Sequence, residues 1–334
     1  MLKSIHIQGF KGFRNLKISD LKKVNLILGG QNVGKTSLLE AIYMGGVDLG
    51  MVRSLGSIFR DGDDKDHTRF WDGLFKEQLF ISLVESRDAS LVTAFASSDK
   101  VKINLGAHGV VLGSISGTDA RHGKRIIQLG QDLDGLPQVF HEIEKDLSFF
   151  SPLPVSIYPL GQVELAQLFD KVVFSRKKKD LLRMLNYVEP RLEDIHSLSP
   201  DKDLRIYLEL DGLDTALPLP QMGHGFGRLV NLYCSLLVTK AKLALIDEVE
   251  NGIHYSSLPT VFKGVRGISF ENDVQTLMTT HSWDAIRSAC EVFSDCPDMF
   301  QVIRLERTED DNVKAVCIEG ERMLRMMDRE MEVR

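Results

Sequence analysis

The run Gly29-Gly-Gln-Asn-Val-Gly34-Lys35-Thr36 constrains this chain more than any other feature. An apolar run, Val24 to Leu28, precedes it, and a stretch carrying Leu38, Leu39, Ala41 and Ile42 at helical spacing follows. A glycine-rich turn of the pattern GxxxxGK[ST] between a strand and a helix is a phosphate-binding loop, the Walker A motif. Its glycines let backbone amides curl round a phosphate with no Cβ in the way. The helix N-terminus adds partial positive charge at the same place. On this reading Gly29, Gly30, Gln31, Asn32, Val33, Gly34 and Ser37 form the cradle. Lys35 reaches the β- and γ-phosphates of a nucleotide, and the Thr36 hydroxyl ligates Mg²⁺. A chance glycine turn is the competing reading, and placement between strand and helix argues against it.

Leu243-Ala-Leu-Ile246-Asp247-Glu248 is an apolar strand ending in two acids, a Walker B pattern. In a parallel sheet its end lies beside the phosphate loop. Asp247 then holds Mg²⁺ through water, while Glu248 faces the γ-phosphate, where a carboxylate orients or deprotonates the attacking water. Acids commonly follow strands, so the pattern gains its weight from Walker A. Upstream, Gln221-Met-Gly223-His224-Gly225-Phe-Gly227-Arg228 opens a helix. Gly223 and Gly225 free backbone amides there, which makes a second anion site. By itself the segment reads better as a flexible loop with a helix start, and its place just upstream of Walker B shifts the reading toward the anion site. Gln275-Thr-Leu-Met-Thr-Thr280-His281 is a strand ending in a histidine, placed to hydrogen-bond a γ-phosphate and sense its loss. A satisfied surface histidine is the alternative.

With 334 residues the chain suits two domains or one large α/β domain with insertions. Short β-type runs (Phe80 to Val84, Leu91 to Phe95, Val101 to Leu105, Arg125 to Leu129) predict an antiparallel lobe, followed by a helix over 137–150 and a strand over 155–160. One or two amphipathic helices are expected from Val163 to Tyr187. Their basic run, Arg176 to Lys179, reads as a solvated face rather than a nucleic-acid contact. Leu204 to Leu219 is a hairpin turning at Asp211-Gly212. After Gln221, helices 226–239, 255–266 and 282–292 alternate with strands 243–247, 274–280 and 300–306, and strand 313–319 and a last helix follow. That alternation marks a mostly parallel, helix-covered sheet. The acids Asp61, Asp63, Asp64 and Asp66 read as a solvated turn rather than a metal loop.

A formal net charge of −6 argues against a dedicated nucleic-acid coat. The apolar stretch from Leu229 to Ile246 is broken by Asn231, Ser235, Lys240 and Lys242 and cannot span a bilayer. The N-terminus lacks the apolar core of a signal peptide. Cys234, Cys290, Cys296 and Cys317 show no CxxC spacing and suit a reducing cytosol as buried thiols.

Together the four motifs resemble the ABC-type ATPase head, in the branch that contains SMC-like, RecF-like and OLD-like AAA proteins. The specific resemblance is to stand-alone bacterial AAA ATP-binding proteins without a Toprim domain. The stretches that carry it are FRNLKISDLKKVNLILGGQNVGKTSLLEAI, LPQMGHGFGRLVNLYCSLL, LALIDEVENGIH and TTHS, while residues 50–200 match only loosely. The resemblance implies one α/β head over 1–334. It places the N-terminal strands and Walker A in 1–50, a β lobe with a helical segment in 51–153 and a helical insert in 154–200. The signature, Walker B, switch histidine and C-terminal strands and helix fall in 201–334.

The same resemblance makes Gly223-His224-Gly225 the signature that closes on a partner's γ-phosphate. Asn251-Gly-Ile-His254 becomes the D-loop at the dimer seam, His281 the switch histidine acting beside the catalytic Glu248, and Arg14 a nucleotide contact. Gln162 is the Q-loop candidate. The signature lacks the serine of transporter-type LSGGQ, with Met222 before its first glycine, which implies slow hydrolysis. Implied too are Mg²⁺-ATP, a homodimer sandwiching two ATPs, and higher homo-oligomers. The chain would be a cytoplasmic switch acting on a separate effector in bacterial anti-phage defence, with no nuclease of its own. A DNA-binding repair ATPase of RecF type is the alternative, and the signature disfavours a transporter motor.

Overall fold

Strand β3 (Val24–Gly29) is apolar on both faces apart from Asn25, and such a strand belongs at the centre of a covered sheet. The computed structural model describes residues 1–46, 75–86, 89–96, 110–119, 123–131, 137–140, 153–155, 160–200, 203–238 and 242–328. In it β3 lies between β14 (Gln275–Thr279) and β15 (Phe300–Arg307), parallel to both. The six-stranded sheet runs β16-β15-β3-β14-β13-β9. Here β16 is Val313–Glu319, β13 is Leu243–Ile246 and β9 is Leu153–Val155. Only β16 runs antiparallel to its neighbour in this sheet.

The strand period of two divides the core. Val24, Leu26 and Leu28 of β3 join one apolar cluster, with Ala244, Ile246, Met278 and Val302 of its neighbours. That cluster is closed by α4 (Gly223–Val238), α5 (Leu258–Glu271), α6 (Trp283–Val292) and α7 (Gly320–Asp328). Ile27, Leu245, Leu277 and Ile303 face the other way, onto α1 (Lys35–Gly46), β1 (Ser4–Phe10) and β2 (Phe13–Ile18). Each fully buried Leu or Ile contributes roughly 1.5–3 kcal/mol, so α1 is held mainly by Leu38, Leu39 and Ile42, none of them accessible.

Buried amides tie the sheet internally. Asn25 Nδ2 donates to the carbonyls of Lys22 and Thr276 at 2.8 and 3.1 Å, and Gln301 Nε2 donates to Asn25 Oδ1 at 2.7 Å. Gln275 Nε2 donates to the Leu2 and Lys22 carbonyls at 2.9 and 2.7 Å, and Leu2 N–H returns a bond to Gln275 Oε1 at 2.8 Å.

The antiparallel lobe is a seven-stranded sheet, β2-β1-β4-β5-β6-β7-β8. Its further strands are β4 (Phe75–Ser86), β5 (Ala89–Ala96), β6 (Val110–Asp119), β7 (Gly123–Gln131) and β8 (Pro137–Phe140). The runs at 80–84, 91–95 and 125–129 fall in β4, β5 and β7; the one at 101–105 lies outside the described residues, as do the acids at 61–66. The helix expected over 137–150 is overturned at its start. Pro137 opens β8, which pairs only with β7 among the described strands. A proline at the first position of an edge strand leaves no ladder donor missing. Residues 141–150 lie outside the described residues. Of the strand expected over 155–160, Val155 closes β9 opposite Ile246, and residues 156–159 lie outside the described residues.

The insert holds α2 (Gln162–Phe174) and α3 (Lys178–Asn186), which break at Arg176, whose φ is +59°. Beyond them lies a small sheet of β10 (Leu192–Leu198), β11 (Arg205–Leu210) and β12 (Leu217–Pro218). The expected hairpin is β11–β12, with Tyr207 opposite Pro218. Half of the basic run is engaged within the chain. Lys177 Nζ donates to the Leu237 carbonyl at 2.9 Å, and Lys178 pairs with Asp194 at 2.7 Å. Among the described residues no helix is long and apolar enough to cross a membrane.

Candidate nucleotide site

The loop between β3 and α1 takes backbone shapes that only small residues enter freely. Gly34 has φ +105° and Asn32 φ +58°. A Cβ on Gly34 would stand 2.9 Å from the Phe13 ring, and one on Gly29 would stand 2.7 Å from the Leu305 carbonyl oxygen. The loop is therefore packed from outside into its curve. Arg307 adds a donor to the Asn32 carbonyl at 3.1 Å. Lys35 Nζ bridges the Gly29 and Gly30 carbonyls at 2.8 and 2.9 Å. Burial pulls its pKa below the usual lysine value, against the opposing pull of Asp247, Glu248 and Glu250. A buried ammonium among carbonyls and acids suits a polyanion, whose negative oxygens satisfy its donors better than neutral carbonyls do.

Thr36 Oγ1 donates to Asp247 Oδ2 at 3.0 Å. Thr279, at the end of β14, supplies the link that carries this geometry to Glu248. Its hydroxyl donates to Asp247 Oδ1 at 2.5 Å and accepts from Glu248 N–H at 2.8 Å. Thr36 and Asp247 together present the hard oxygen donors that Mg²⁺ takes, so they are the residues that would hold it. Glu248 has φ +44°, a left-handed conformation that costs about 1–3 kcal/mol for a non-glycine residue and persists only where neighbours fix it. Thr279 fixes its N–H, and Arg228 Nη2 donates to its carbonyl at 2.6 Å.

The remaining motif residues gather round this turn unevenly. His281 is exposed, and its N–H donates to Glu250 Oε1 at 2.7 Å; Ser282 N–H shares that oxygen at 3.1 Å. Ser282 then caps α6 by accepting from Ala285 N–H at 3.2 Å. Gly225 packs against its own chain, where a Cβ would meet the Gly252 carbonyl oxygen at 2.4 Å. Gly223 is exposed with φ +83°, and the His224 side chain lies outside the described residues. Asn251, Gly252 and His254 are exposed. Gln162 is exposed in the first turn of α2, after the strand that flanks β13.

Arg14 is tied by its backbone to the β15–β16 turn. Its N–H donates to Asn312 Oδ1 at 3.2 Å. The Thr308 hydroxyl chiefly, with Arg14 contributing, holds the Asp310 carboxyl below its ordinary range. No described contact joins Arg14 to Lys35 or Asp247. Three contributors had no role in the sequence reading: Thr279, Glu250 and Arg228. Their residue types were visible within the motifs, but their partners lie across strand and helix boundaries.

Comparisons with known proteins bear on this geometry. Residues 1–104 match a family described as "AAA ATPase domain", and residues 128–288 match one described as "AAA domain, putative AbiEii toxin, Type IV TA system". An ATP/GTP phosphatase of Helicobacter pylori is 23% identical, over 88% of this chain and 89% of that one. A DNA replication and repair protein RecF of Clostridioides difficile is 32% identical over 31% of this chain, where the chain spans a quarter of that relative's length. An SMC head solved bound to the C-terminal winged-helix domain of ScpA superposes with a TM-score of 0.51 at 14% identity, covering 97% of this chain and 99% of that one. These findings support an SMC/RecF-like ABC-type ATPase head. A second SMC head, bound to a ScpA C-terminal domain from Pyrococcus furiosus, agrees in fold with a TM-score of 0.50 at 11% identity, over 98% of this chain and 99% of that one. In this head, Thr36, Asp247, Thr279 and Glu248 form one connected run of polar contacts across the ends of β3, β14 and β13, and Lys35 lies beside it on the Gly29 and Gly30 carbonyls.

Proposed function

We propose that the head binds and hydrolyses Mg²⁺-ATP. The observation that carries this is the chain of contacts Thr36–Asp247–Thr279–Glu248 beside the buried Lys35 ammonium. Lys35 and the loop amides hold the phosphates, Thr36 and Asp247 hold the metal, and Glu248 takes the proton from the attacking water. Mg²⁺ supplies charge neutralisation on the phosphate oxygens when bound. His281, on the same strand end as Thr279, serves as the γ-phosphate contact.

The head dimerises round two ATPs, each site taking its Walker motifs from one chain and its signature from the other, an isologous arrangement that two-fold symmetry permits. ATP then biases an open–closed equilibrium and hydrolysis releases it. The output is a cytoplasmic switch on a partner protein in bacterial defence. Support comes from the SMC head solved with a ScpA domain and from the family description that names a putative toxin. Engagement of Lys177 and Lys178 within the chain favours this over the RecF-type reading. Phosphate release with and without DNA tests both. ATP hydrolysis indifferent to DNA supports the switch, salt-sensitive stimulation by DNA supports the RecF type, and no hydrolysis overturns both.

A further inference from the structure

Arg228 sits in the first turns of α4, three residues beyond Gly225. Its guanidinium donates to the Asp247 carbonyl at 3.1 Å, to the Glu248 carbonyl at 2.6 Å and to the Asn251 carbonyl. Gly225, on the same helical turn, lies so close to the Gly252 carbonyl that a Cβ there would approach it to 2.4 Å. The start of α4 is thus fastened at two places to the turn that runs from Asp247 to Gly252. That turn also carries Glu248 in its left-handed conformation. A planar guanidinium can hold several carbonyls in fixed directions, whereas a lysine ammonium is a single point donor on a flexible stem.

We propose that Arg228 is a positioning residue that makes the signature helix and the Glu248 turn one rigid piece. Engagement of this chain's signature by a partner's nucleotide then sets the position of this chain's own carboxylate. The inference rests on the ATP-sandwich reading above. Its physical basis is short range. A shift of the α4 start by about 1 Å takes these bonds beyond hydrogen-bond distance, and misplacing a reacting group by that amount costs about 100-fold in rate. The two sites of a dimer would therefore act together, each closing the other's catalytic turn.

Mixed dimers separate the two ends of this coupling. One chain carries Glu248→Gln, which keeps its ATP on the other chain's signature and leaves one hydrolysing site, built from the other chain's Walker motifs and the Glu248→Gln chain's signature. Arg228→Ala is placed in the other chain, where it touches the working Glu248 turn but not the working signature. Hydrolysis should fall about tenfold or more while ATP affinity stays within about twofold, and Arg228→Lys should recover part of the rate. A rate equal to that of the same mixed dimer without Arg228→Ala overturns the proposal. A second measurement needs no dimer. Amide exchange across residues 247–253 of the nucleotide-free Arg228→Ala chain should quicken, while exchange in β3 and α5 stays unchanged and reports an intact fold. Unchanged exchange at 247–253 also overturns the proposal. If Lys35→Ala still binds ATP, the site reading fails instead, and the exchange result alone decides Arg228.

Discussion

Thr36 and Asp247 are 211 residues apart in sequence, and their side-chain oxygens stand 3.0 Å apart. That pair joins two strand ends across the site, because one residue follows β3 and the other follows β13, with β14 between them. Thr36→Val keeps the side-chain shape and removes the oxygen. Its Mg²⁺-dependent gain in ATP affinity should fall about 10- to 100-fold, while affinity in EDTA stays at the wild-type value. Titration of a fluorescent ATP analogue with and without Mg²⁺ checks this, and an unaltered Mg²⁺ dependence removes Thr36 from the metal site.

Lys35→Ala should lower ATP affinity by about 100-fold or more, since charge-assisted bonds to phosphate contribute roughly 1.5–3 kcal/mol each. Thermal stability gives an independent check. ATP at 100 times its Kd should stabilise the wild-type head by about 2.7 kcal/mol, and the same concentration should stabilise Lys35→Ala by about 0.4 kcal/mol or less.

Glu248→Gln keeps shape and hydrogen bonding but loses the base. Phosphate release should drop by about 10²–10⁴, with ATP retained. Light scattering in ATP should then report a persistent dimer or larger assembly. Hydrolysis at the wild-type rate would strip Glu248 of its role.

The Gly225–Gly252 contact changes what substitution of the signature should do. A signature that acts only on a partner's phosphate would tolerate a methyl group in the lone chain. Here Gly225→Ala must push the Gly252 carbonyl away, so it should destabilise the nucleotide-free protein by about 1–3 kcal/mol. Gly223→Ala meets no atom within 4 Å but keeps φ +83°, so it should cost about 1–2 kcal/mol through backbone strain alone. Chemical denaturation of both variants compares them. Equal stability of Gly225→Ala and wild type would refute the packing described.

Much of this head is legible in the sequence because its signals are local. The Walker A run announces a strand, a turn and a helix by residue type, and the alternation after Gln221 yields the parallel sheet. What escaped was non-local. Nothing near Thr279 says that its hydroxyl bridges Asp247 and the Glu248 amide, because that bond spans two strands. Glu250 looks like one more acid after a strand until β14 brings His281 onto it. Arg14 lies 15 residues before the phosphate loop in sequence, and the β15–β16 turn supplies its described partners. Pro137–Phe140 shows the opposite failure, a short segment whose pairing with β7 overrode a helical reading.

The place of β3 between β14 and β15 also fixes an order of events during synthesis. Val24 pairs with Thr276 and with Phe300, so the phosphate-loop strand leaves the ribosome long before either neighbour exists. At about 5–20 residues per second its wait for β14 is roughly 12–50 seconds. Through that interval Val24, Leu26, Ile27 and Leu28, all buried in the folded chain, lack the neighbouring strands that cover them. Nascent chains arrested before Phe300 should accordingly fail to bind immobilised ATP, and those arrested beyond Glu319 and clear of the exit tunnel should bind it.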